Sequence, residues 1–403
     1  MKRKGLVMSG RWIAVILMFA AVLLLQIATT ADAAPAAKTL RIGSMAAMTG
    51  WYSFEGLDIM DATNMAKIIN DKGGITIKGQ KYNIELVPED TKSNLEGATA
   101  AANKLAYDKK VKFVLGPAGF FGVAVAPIFN PNKILYALSF STMQPGEIDA
   151  TTPYSFLIHM SSFGACSSAG KAVKKEFPNV RKLAIVTTDD GSVPYLEPVM
   201  RKILASQEYT VLDVITYSAD TQDCSPIAAK LNAIKEADAV FHMNGAPTHV
   251  GNIIKGLRES GNNKPYVFTG GIMDGADLVR IAGESAATNV LTQPLVPNSP
   301  GNPPLLDQLY AMRTGPKAPY MGNQANGLLM LVNAMKAADS IEPDAVKAKW
   351  EKMDAVETLW GKGKMGGDKT YGVHQAVGHP CSYITIMNGK QSFRGWSDIN
   401  VIP

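Results

Sequence analysis

Cysteine and histidine are scarce in this 403-residue sequence, which contains three cysteines and five histidines. The cysteines form no C-x-x-C pair, and the histidines lack the local spacing of a metal site. Neither a metal ion nor another cofactor is therefore expected. An odd number of cysteines also allows at most one internal disulfide.

Catalytic motifs are missing as well: there is no G-x-S-x-G elbow, no P-loop and no H-E-x-x-H sequence. The acidic pair Asp189–Asp190 follows a predicted strand, but no nucleophile, base and oxyanion donors accompany it. These carboxylates either face a ligand or hinge, or bond the amides of their own loop as Asx turns. We therefore expect a protein that is not an enzyme.

The sequence also lacks a basic run interleaved with aromatic residues, so no nucleic-acid partner is expected. The net charge of +5 comes from 40 basic and 35 acidic residues. Residues 1–33 hold four of the basic residues and one acid, which leaves a net charge of +2 for the rest of the chain.

The N-terminus has the ordered features of a secretory signal peptide. Four basic residues within the first eleven precede an apolar run at 12–28, and Ala31–Asp32–Ala33 resembles a cleavage site. An uncleaved anchor is the alternative, because the run is close to membrane-spanning length. The cleavage site favours removal of residues 1–33 and a periplasmic protein. No cysteine lies near that site, so lipid attachment is not expected.

After this segment, apolar runs of strand length alternate with amphipathic segments of helix length. Strands are predicted at 40–48, 82–90, 111–117, 134–140, 154–160, 182–190, 210–218, 239–245, 265–271 and 381–391. Helices are predicted at 54–74, 95–109, 121–130, 166–177, 194–208, 226–237, 248–261, 323–339 and 343–353. The proline-rich segment 291–306 reads as a connector. This order predicts two tandem α/β units, each a parallel sheet with helices on both faces.

Six segments, in this order, resemble one family. They are RIGSMAAMTGWYSFEG (41–56), NDKGGI (70–75), the GP turn of VKFVLGP (111–117), TTDDGSVPY (187–195), YSADTQDCSPIAAKLNAIKEADAV (217–240) and HPCSYITIMNGKQ (379–391). Together they resemble the leucine/isoleucine/valine-binding type of periplasmic substrate-binding protein, which captures solutes for ABC importers. The resemblance covers essentially the whole chain after residue 33.

The resemblance implies a type I periplasmic binding protein fold: two doubly wound parallel-sheet lobes, three crossovers and a ligand cleft between the lobes. The expected boundaries are 34–157 plus 290–372 for lobe I, 158–289 plus 373–403 for lobe II, and crossovers near 157–161, 288–293 and 372–380. It also implies a monomer whose partners are a small ligand and an inner-membrane ABC permease. A sensor that hands its closed state to a signalling receptor is the alternative.

Ligands of such sheets bind outside the carboxyl ends of the strands, in the cleft between two lobes. Carried over position by position, the resemblance predicts ligand contacts in these loops. They are Trp51, Tyr52, Ser53, Glu55, Ala118, Gly119, Phe120, Ser139, Phe140, Ser141, Asp190, Val193, Asn244, Ala246, Gly271, Ile272 and Tyr320.

Two departures from the family pattern bear on the ligand. A serine expected after the third strand is replaced by Gly119, Phe120 or Phe121, and the acid expected after VFTGG by Gly271. Without that acid an ammonium group loses its partner, and the aromatic residues add apolar surface. The expected ligand is an apolar or aromatic compound, with or without a carboxylate, or an amino acid. In the alternative, the two phenylalanines only pack the face between the lobes.

The cysteines of the second unit, Cys166 and Cys224, are the candidates for a disulfide. An exported protein favours their pairing, although the sequence does not show the distance between their α-carbons. Cys381 lies in a predicted strand and is expected to be a small buried hydrophobic residue.

Overall fold

The computed structural model describes residues 36–159, 161–189, 191–269, 275–294, 299–314 and 322–403. The predicted signal peptide lies outside the described residues. Within them, no helix is both long and apolar enough to cross a bilayer.

The first sheet has nine strands in the order β12-β13-β14-β6-β5-β4-β1-β3-β2. Its strands are β1 (Lys38–Ala46), β2 (Ile75–Ile77), β3 (Gln80–Asp90), β4 (Phe113–Leu115), β5 (Leu135–Leu138), β6 (Ser155–Leu157), β12 (Ala355–Thr358), β13 (Gly361–Gly366) and β14 (Ala376–Gly378). The central strands pair in parallel, whereas β2, β12 and β13 run antiparallel to their neighbours. The carboxyl ends of β1, β4 and β5 therefore lie side by side.

The second sheet has seven strands in the order β16-β15-β11-β10-β9-β7-β8. Its strands are β7 (Lys182–Asp189), β8 (Thr210–Ser218), β9 (Ala239–His242), β10 (Tyr266–Phe268), β11 (Val290–Thr292), β15 (Ser382–Met387) and β16 (Lys390–Trp396). The strands pair in parallel except at β15, which runs antiparallel to both β11 and β16.

Helices follow most strands, as the amphipathic segments predict. They are α1 (Gly56–Asp71), α2 (Leu95–Asn103), α3 (Gly119–Phe129), α4 (Ser162–Glu176), α5 (Val193–Ser206), α6 (Ser225–Ala233), α7 (Pro247–Glu259), α8 (Gly275–Ala282), α9 (Pro304–Met312), α10 (Asn323–Ala338) and α11 (Pro343–Trp350). The side chain of Asn94 accepts a hydrogen bond from Gly97 N at 2.7 Å and caps α2.

Each sheet is buried between helices. In the second sheet, one apolar cluster joins α4 and α5 to one face, and another joins α6, α7 and α8 to the opposite face. In the first lobe, the fully buried rings of Phe156 and Trp350 stack at 4.4 Å between centroids. The two-lobed α/β fold predicted from the sequence is confirmed, with sheets that are mixed and mostly parallel.

The chain passes between the sheets three times: after β6, between β11 and α9, and between β14 and β15. The exact lobe boundaries stay a prediction. Strand membership assigns 290–292 to the second sheet and 376–378 to the first, a few residues beyond the expected divisions. The proline-rich connector is shorter than expected, because 291–306 includes most of β11 and the start of α9.

None of the three cysteines, which are all buried, forms a disulfide in the described structure, so the predicted Cys166–Cys224 disulfide is wrong. Cys166 lies in α4 and Cys224 immediately precedes α6, and they belong to the apolar clusters on opposite faces of the second sheet. The intervening sheet keeps the two sulfurs apart. Cys381 is buried next to β15, as expected.

We expect three reactive thiols per chain when the protein is unfolded in denaturant without reductant. The native protein should react slowly at all three, because the sulfurs are buried and burial raises the pKa of the Cys381 thiol to about 12. The time course of labelling by a chromogenic thiol reagent measures the number of thiols in the unfolded protein and their rate of reaction in the native protein. A single reactive thiol after unfolding would contradict the structure.

Candidate functional site

An aromatic turn follows β1 and forms one part of the cleft wall. Trp51 Nε1 donates to Ser93 O at 3.1 Å, and Tyr52 N donates to Ser93 Oγ at 3.1 Å. Gly50 has a φ of +89°, a conformation that favours glycine. These contacts hold the turn against the loop that follows β3.

Aromatic rings from three loops converge at this turn. Phe120 stacks on Trp51 at 5.8 Å between centroids, meets Tyr52 edge-on at 5.0 Å and lies 5.5 Å from Phe140. Phe121 contacts Phe120 at 4.3 Å. The rings of Phe120 and Phe121 are buried against their neighbours, whereas Trp51 and Phe140 stay half-buried. Packing thus describes both Phe120 and Phe121, whereas the half-buried rings of Trp51 and Phe140 keep some exposed apolar surface.

The loop after β4 leads into α3 at a point of close backbone approach. A Cβ on Gly119 would overlap the carbonyl oxygen of Phe140, so the loops after β4 and β5 touch here. The residue before the helix is Ala118, whose side chain cannot cap it. The first-turn amides of α3, including those of Gly119 and Phe120, form a positive end where an anion is stabilised.

The loop after β5 supplies hydroxyl groups. Ser139 is fully buried, its amide donates to Pro117 O at 3.0 Å, and its Oγ has no partner among the described residues. Ser141 Oγ donates to the buried carboxylate of Glu147 at 2.7 Å and accepts from Tyr371 Oη at 3.0 Å. Ser141 is thus held by the protein, whereas the hydroxyl of Ser139 is buried without a partner in the described structure.

A buried carboxyl group, that of Glu55, lies at the base of the aromatic turn. Its Oε2 accepts from Ala47 N at 2.7 Å, and the amide of Ala118 also donates to the group. Burial raises the pKa of Glu55 to about 8, against the opposing effect of the two amides. Glu55 therefore bridges the loops after β1 and β4.

Two further buried acids follow on α1. Asp61 forms an ion pair with Arg313 at 2.5 Å, with both side chains fully buried. Asp58 accepts a hydrogen bond from Asn323 N at 3.0 Å. The pKa of Asp58 is raised by burial first and then by the neighbouring charges of Asp61 and Glu55. The guanidinium is bound to Asp61 through two nitrogens, so Glu55 has no ion-pair partner among the described residues.

The facing lobe presents the loop after β9 on a buried polar network. His242 Nδ1 lies 2.5 Å from Tyr266 Oη, and its Nε2 lies 2.9 Å from Tyr217 Oη and 3.0 Å from Asn244 O. A carbonyl only accepts, so Nε2 carries the proton and Nδ1 accepts from Tyr266. Burial lowers the pKa of His242 to about 3 and keeps the ring neutral. A Cβ on Gly245 would overlap this network, which therefore fixes the loop.

The two lobes touch across the cleft. Phe54, in the aromatic turn, packs against both the core of the first lobe and the cluster on α6, α7 and α8. Met143, in the loop after β5, packs against the cluster on α4 and α5. Ser162 at the start of α4 donates its amide to Ser141 O at 3.0 Å.

The first and third crossovers meet in an aromatic stack at the hinge. Trp360 stacks on His379 at 4.1 Å and on His159 at 4.6 Å, and the two histidines lie within hydrogen-bond distance at 2.9 Å. His379 Nδ1 lies 2.7 Å from Pro380 O and must donate to it, so His159 Nδ1 donates to His379 Nε2. Burial lowers the pKa of both histidines, that of His379 to about 4.

The structure brings most of the predicted contact residues to the cleft edges of the two sheets. Trp51, Tyr52, Ser53, Glu55, Ala118, Gly119, Phe120, Ser139, Phe140 and Ser141 cluster on the first lobe. In the second lobe, Val193 is the first residue of α5, and Asn244 and Ala246 lie in the loop between β9 and α7. Asp190, Gly271, Ile272 and Tyr320 lie outside the described residues. The roles of all these residues as ligand contacts, in both lobes, stay predictions. The described ranges hold no group of three His, Cys, Asp or Glu residues suited to a metal.

Several residues of this region were not predicted from the sequence. Phe54 belongs to the same aromatic run as Trp51 and Tyr52, and that run was the available signal. Glu147 and the network around His242 carried no signal, because their partners come from separate loops and strands.

Comparisons with known proteins agree with this architecture. The family model described as "Periplasmic binding protein" matches residues 39–388. Comparison with curated protein sequences found no match.

Solved structures show the same fold at low sequence identity. The branched-chain amino acid transporter substrate-binding protein LivJ from Streptococcus pneumoniae, in complex with isoleucine, superposes with a TM-score of 0.72 at 20% identity, covering 90% of this chain and 99% of that one. A solute-binding protein of an ABC transporter from Rhodopseudomonas palustris HaA2, with p-hydroxybenzoic acid, gives 0.74 at 20% identity and covers 90% and 98%. One from R. palustris with benzoate gives 0.70 at 16% identity and covers 90% and 97%.

Replacing Gly119 by alanine should destabilise the protein by about 1–3 kcal/mol, because the new methyl group would displace the loop after β5. Gly56→Ala is the matched control at the start of another helix. There the nearest atom would lie 3.5 Å away and φ is −56°, so alanine should be neutral or stabilising by up to about 1 kcal/mol. Denaturant unfolding measures both. Equal stability of the two variants would contradict the close approach.

Proposed function

Because the chain belongs to the periplasmic binding protein family, we propose that it is the solute-binding component of an ABC importer. Its ligand is a small carboxylate with an aromatic or other apolar body, captured by closure of the two lobes. The observation that carries this proposal is the placement of half-buried aromatic rings next to buried hydrogen-bond donors without a protein partner. The predicted signal peptide supports a periplasmic location.

The polar part of the site suits a carboxylate. The hydroxyl of Ser139 and the first-turn amides of α3 lie on adjoining loops, and both are donors. A helix N-terminus stabilises negative charge, and a hydrogen bond to a charged group contributes about 1.5–3 kcal/mol. The isoleucine, benzoate and p-hydroxybenzoic acid in the solved structures all combine a carboxyl group with an apolar body.

The apolar part of the site suits a ring but does not suffice by itself. An aromatic ring buries about 150–250 Å², which corresponds to about 4–6 kcal/mol at roughly 25 cal/mol per Å². Association costs about 4–15 kcal/mol in lost freedom, so apolar burial alone gives weak binding. The carboxylate contacts must therefore supply much of the net affinity.

Closure follows from the division of the site between the lobes. The first lobe contributes the aromatic turn and Ser139, and the second contributes the loop of Asn244 and Ala246 on its rigid network. A ligand that contacts both lobes binds the closed form more tightly than the open form, and so shifts the population towards it. The closed form is then the one recognised by the permease.

Calorimetry should show that the protein binds benzoate or 4-hydroxybenzoate with a Kd in or below the micromolar range. Benzyl alcohol and benzamide, which keep the ring without a carboxylate, should bind at least about tenfold more weakly. A hydrogen bond to a charged group contributes about 1.5–3 kcal/mol, and about 1.4 kcal/mol corresponds to a tenfold change in Kd. Tight binding of leucine or isoleucine without binding of any aromatic or aliphatic acid would contradict the proposed ligand class.

Ser139→Ala should weaken the binding of these acids by about tenfold or more without lowering the melting temperature. The reason is that Ser139 Oγ has no protein partner in the described structure, so its removal costs the fold no hydrogen bond. Ser260→Ala, on the exposed end of α7, is the control and should leave affinity unchanged. Unchanged affinity of Ser139→Ala would remove this hydroxyl from the site.

A further inference from the structure

The carboxyl group of Glu55 is satisfied on one oxygen and unsatisfied on the other. Its Oε2 accepts from Ala47 N at 2.7 Å, whereas Oε1 has no partner among the described residues. The residue is fully buried, with an exposed fraction of 0%. A buried polar atom without a partner costs about 1–3 kcal/mol, so an arrangement of this kind calls for an explanation.

The protonation state of Glu55 follows from its surroundings. The one guanidinium near this acid cluster in the described structure, that of Arg313, is bound to both oxygens of Asp61. Burial raises the pKa of Glu55 to about 8, so the group is mostly neutral at pH 7. Because Oε2 accepts hydrogen bonds, the proton belongs on Oε1. That oxygen is therefore a hydrogen-bond donor.

The loop after β4 connects Glu55 with Ser139, whose hydroxyl is also buried without a partner in the described structure. The loop after β4, from Gly116 to Gly119, is bonded to Glu55 on the β1 side and to Ser139 on the β5 side. Both Glu55 Oε1 and Ser139 Oγ are buried and without a partner in the described structure. The amino end of α3 lies between them, so three kinds of donor surround one loop.

We propose that Glu55, as a neutral carboxylic acid, donates a hydrogen bond from Oε1 to an oxygen of the bound carboxylate and so determines the ligand class. This inference rests on the proposed function and deepens it. No group is transferred: the proton stays shared between two oxygens in a short charge-assisted bond. A ligand ammonium in the same place would instead require the ionised form of Glu55.

The two chemistries predict opposite responses to the substitution Glu55→Gln. The glutamine side chain keeps a carbonyl oxygen for the amide of Ala47 and presents an N–H donor where Oε1 stands, so it imitates the neutral acid. Glu55→Gln should therefore change the affinity for a carboxylate ligand little, whereas an ammonium ligand would lose its counter-charge and bind more weakly. Methionine, of similar length, removes the donor altogether and should weaken carboxylate binding.

The pH dependence has a defined sign. Ionisation of Glu55 removes the donor and sets two negative charges face to face, so affinity for a carboxylate is full below about pH 8 and falls above it. The other titratable groups near Glu55 are Asp58 and Asp61 on α1, with Arg313 paired to Asp61, and Tyr52 on the same turn. The Glu55→Gln variant separates the contribution of Glu55 to the pH dependence of affinity from the contributions of these other groups.

The experiment is calorimetric titration of benzoate and 4-hydroxybenzoate into the full-length mature protein from pH 6 to 9.5. We expect wild-type affinity to fall by up to about tenfold per pH unit above pH 8, as loss of one required proton dictates. Glu55→Gln should bind within about threefold of the wild type at pH 7 and lose that dependence. Glu55→Met should bind at least about tenfold more weakly. Glu259→Gln, at the exposed far end of α7, is the matched control and should behave as the wild type.

Folding is monitored separately by melting temperature. Because the native pKa of Glu55 is raised from 4.5 to about 8, its contribution to stability is lost as the pH rises from about 4.5 to 8, and Glu55→Gln, which does not titrate, should lose less melting temperature over that range than the wild type. If Glu55→Met does not fold, the pH dependence of affinity in the wild type and in Glu55→Gln still tests the inference. A wild-type affinity that is flat to pH 9.5, or a loss of tenfold or more in Glu55→Gln at pH 7, would overturn the inference. Failure of the wild type to bind either acid would instead overturn the proposed function.

Discussion

Parallel pairing of β4 with β1 on one side and β5 on the other is the constraint on which the candidate site depends. Strands in a sheet lie about 4.8 Å apart, so the loops that leave their carboxyl ends are forced into contact. At Gly119 the approach leaves no room for a side chain, and Glu55 joins the first two loops through backbone amides. The aromatic rings and hydroxyl groups owe their positions to these contacts between backbones.

The acids at the start of α1 show how the same chemical group is used in two ways. Asp61 is paired with Arg313, and the pair fastens the chain after α9 to the first lobe. Glu55, two turns earlier, is equally buried but has amides in place of a cation. A buried ion pair stabilises a structure when both partners are kept, whereas a buried acid without a cation becomes neutral. The first arrangement is structural, and the second leaves a donor for a ligand.

Much of the fold was predictable because the spacing of apolar residues along the sequence indicates strands and helices. Strands that are buried on both faces, such as β9, appear as short apolar runs. The edge strand β8 was predicted with the bounds that the structure has. By contrast, β12, β13 and β14 were missed. The segment of β13, GKGKMG, is rich in glycine and lysine and has no apolar alternation. It becomes a strand through pairing with its neighbours, a tertiary effect that no local pattern records.

The site was predictable to the extent that single loops define it. The aromatic turn and the hydroxyls after β5 were found because loops at the carboxyl ends of strands are nominated by topology. The disulfide failed for a related reason: chain order does not tell which face of a sheet a helix covers, and Cys166 and Cys224 lie on opposite faces. The His242 network was missed because Tyr217, His242 and Tyr266 come from three strands.

Closure of the cleft requires a source of free energy that favours the closed form over the open form. Within the described structure, Phe54 and Met143 of the first lobe pack against apolar clusters of the second, and Trp396 of the second sheet packs against the core of the first lobe. At the hinge, His159 and His379 of the first and third crossovers stack with each other and with Trp360, which lies between β12 and β13. A ligand shifts the equilibrium only by its difference in affinity for the two forms. Hydrogen-bonding groups that the protein buries without a partner, such as Ser139 Oγ and Glu55 Oε1, are where a ligand can gain such a difference, because a contact with them replaces no protein hydrogen bond.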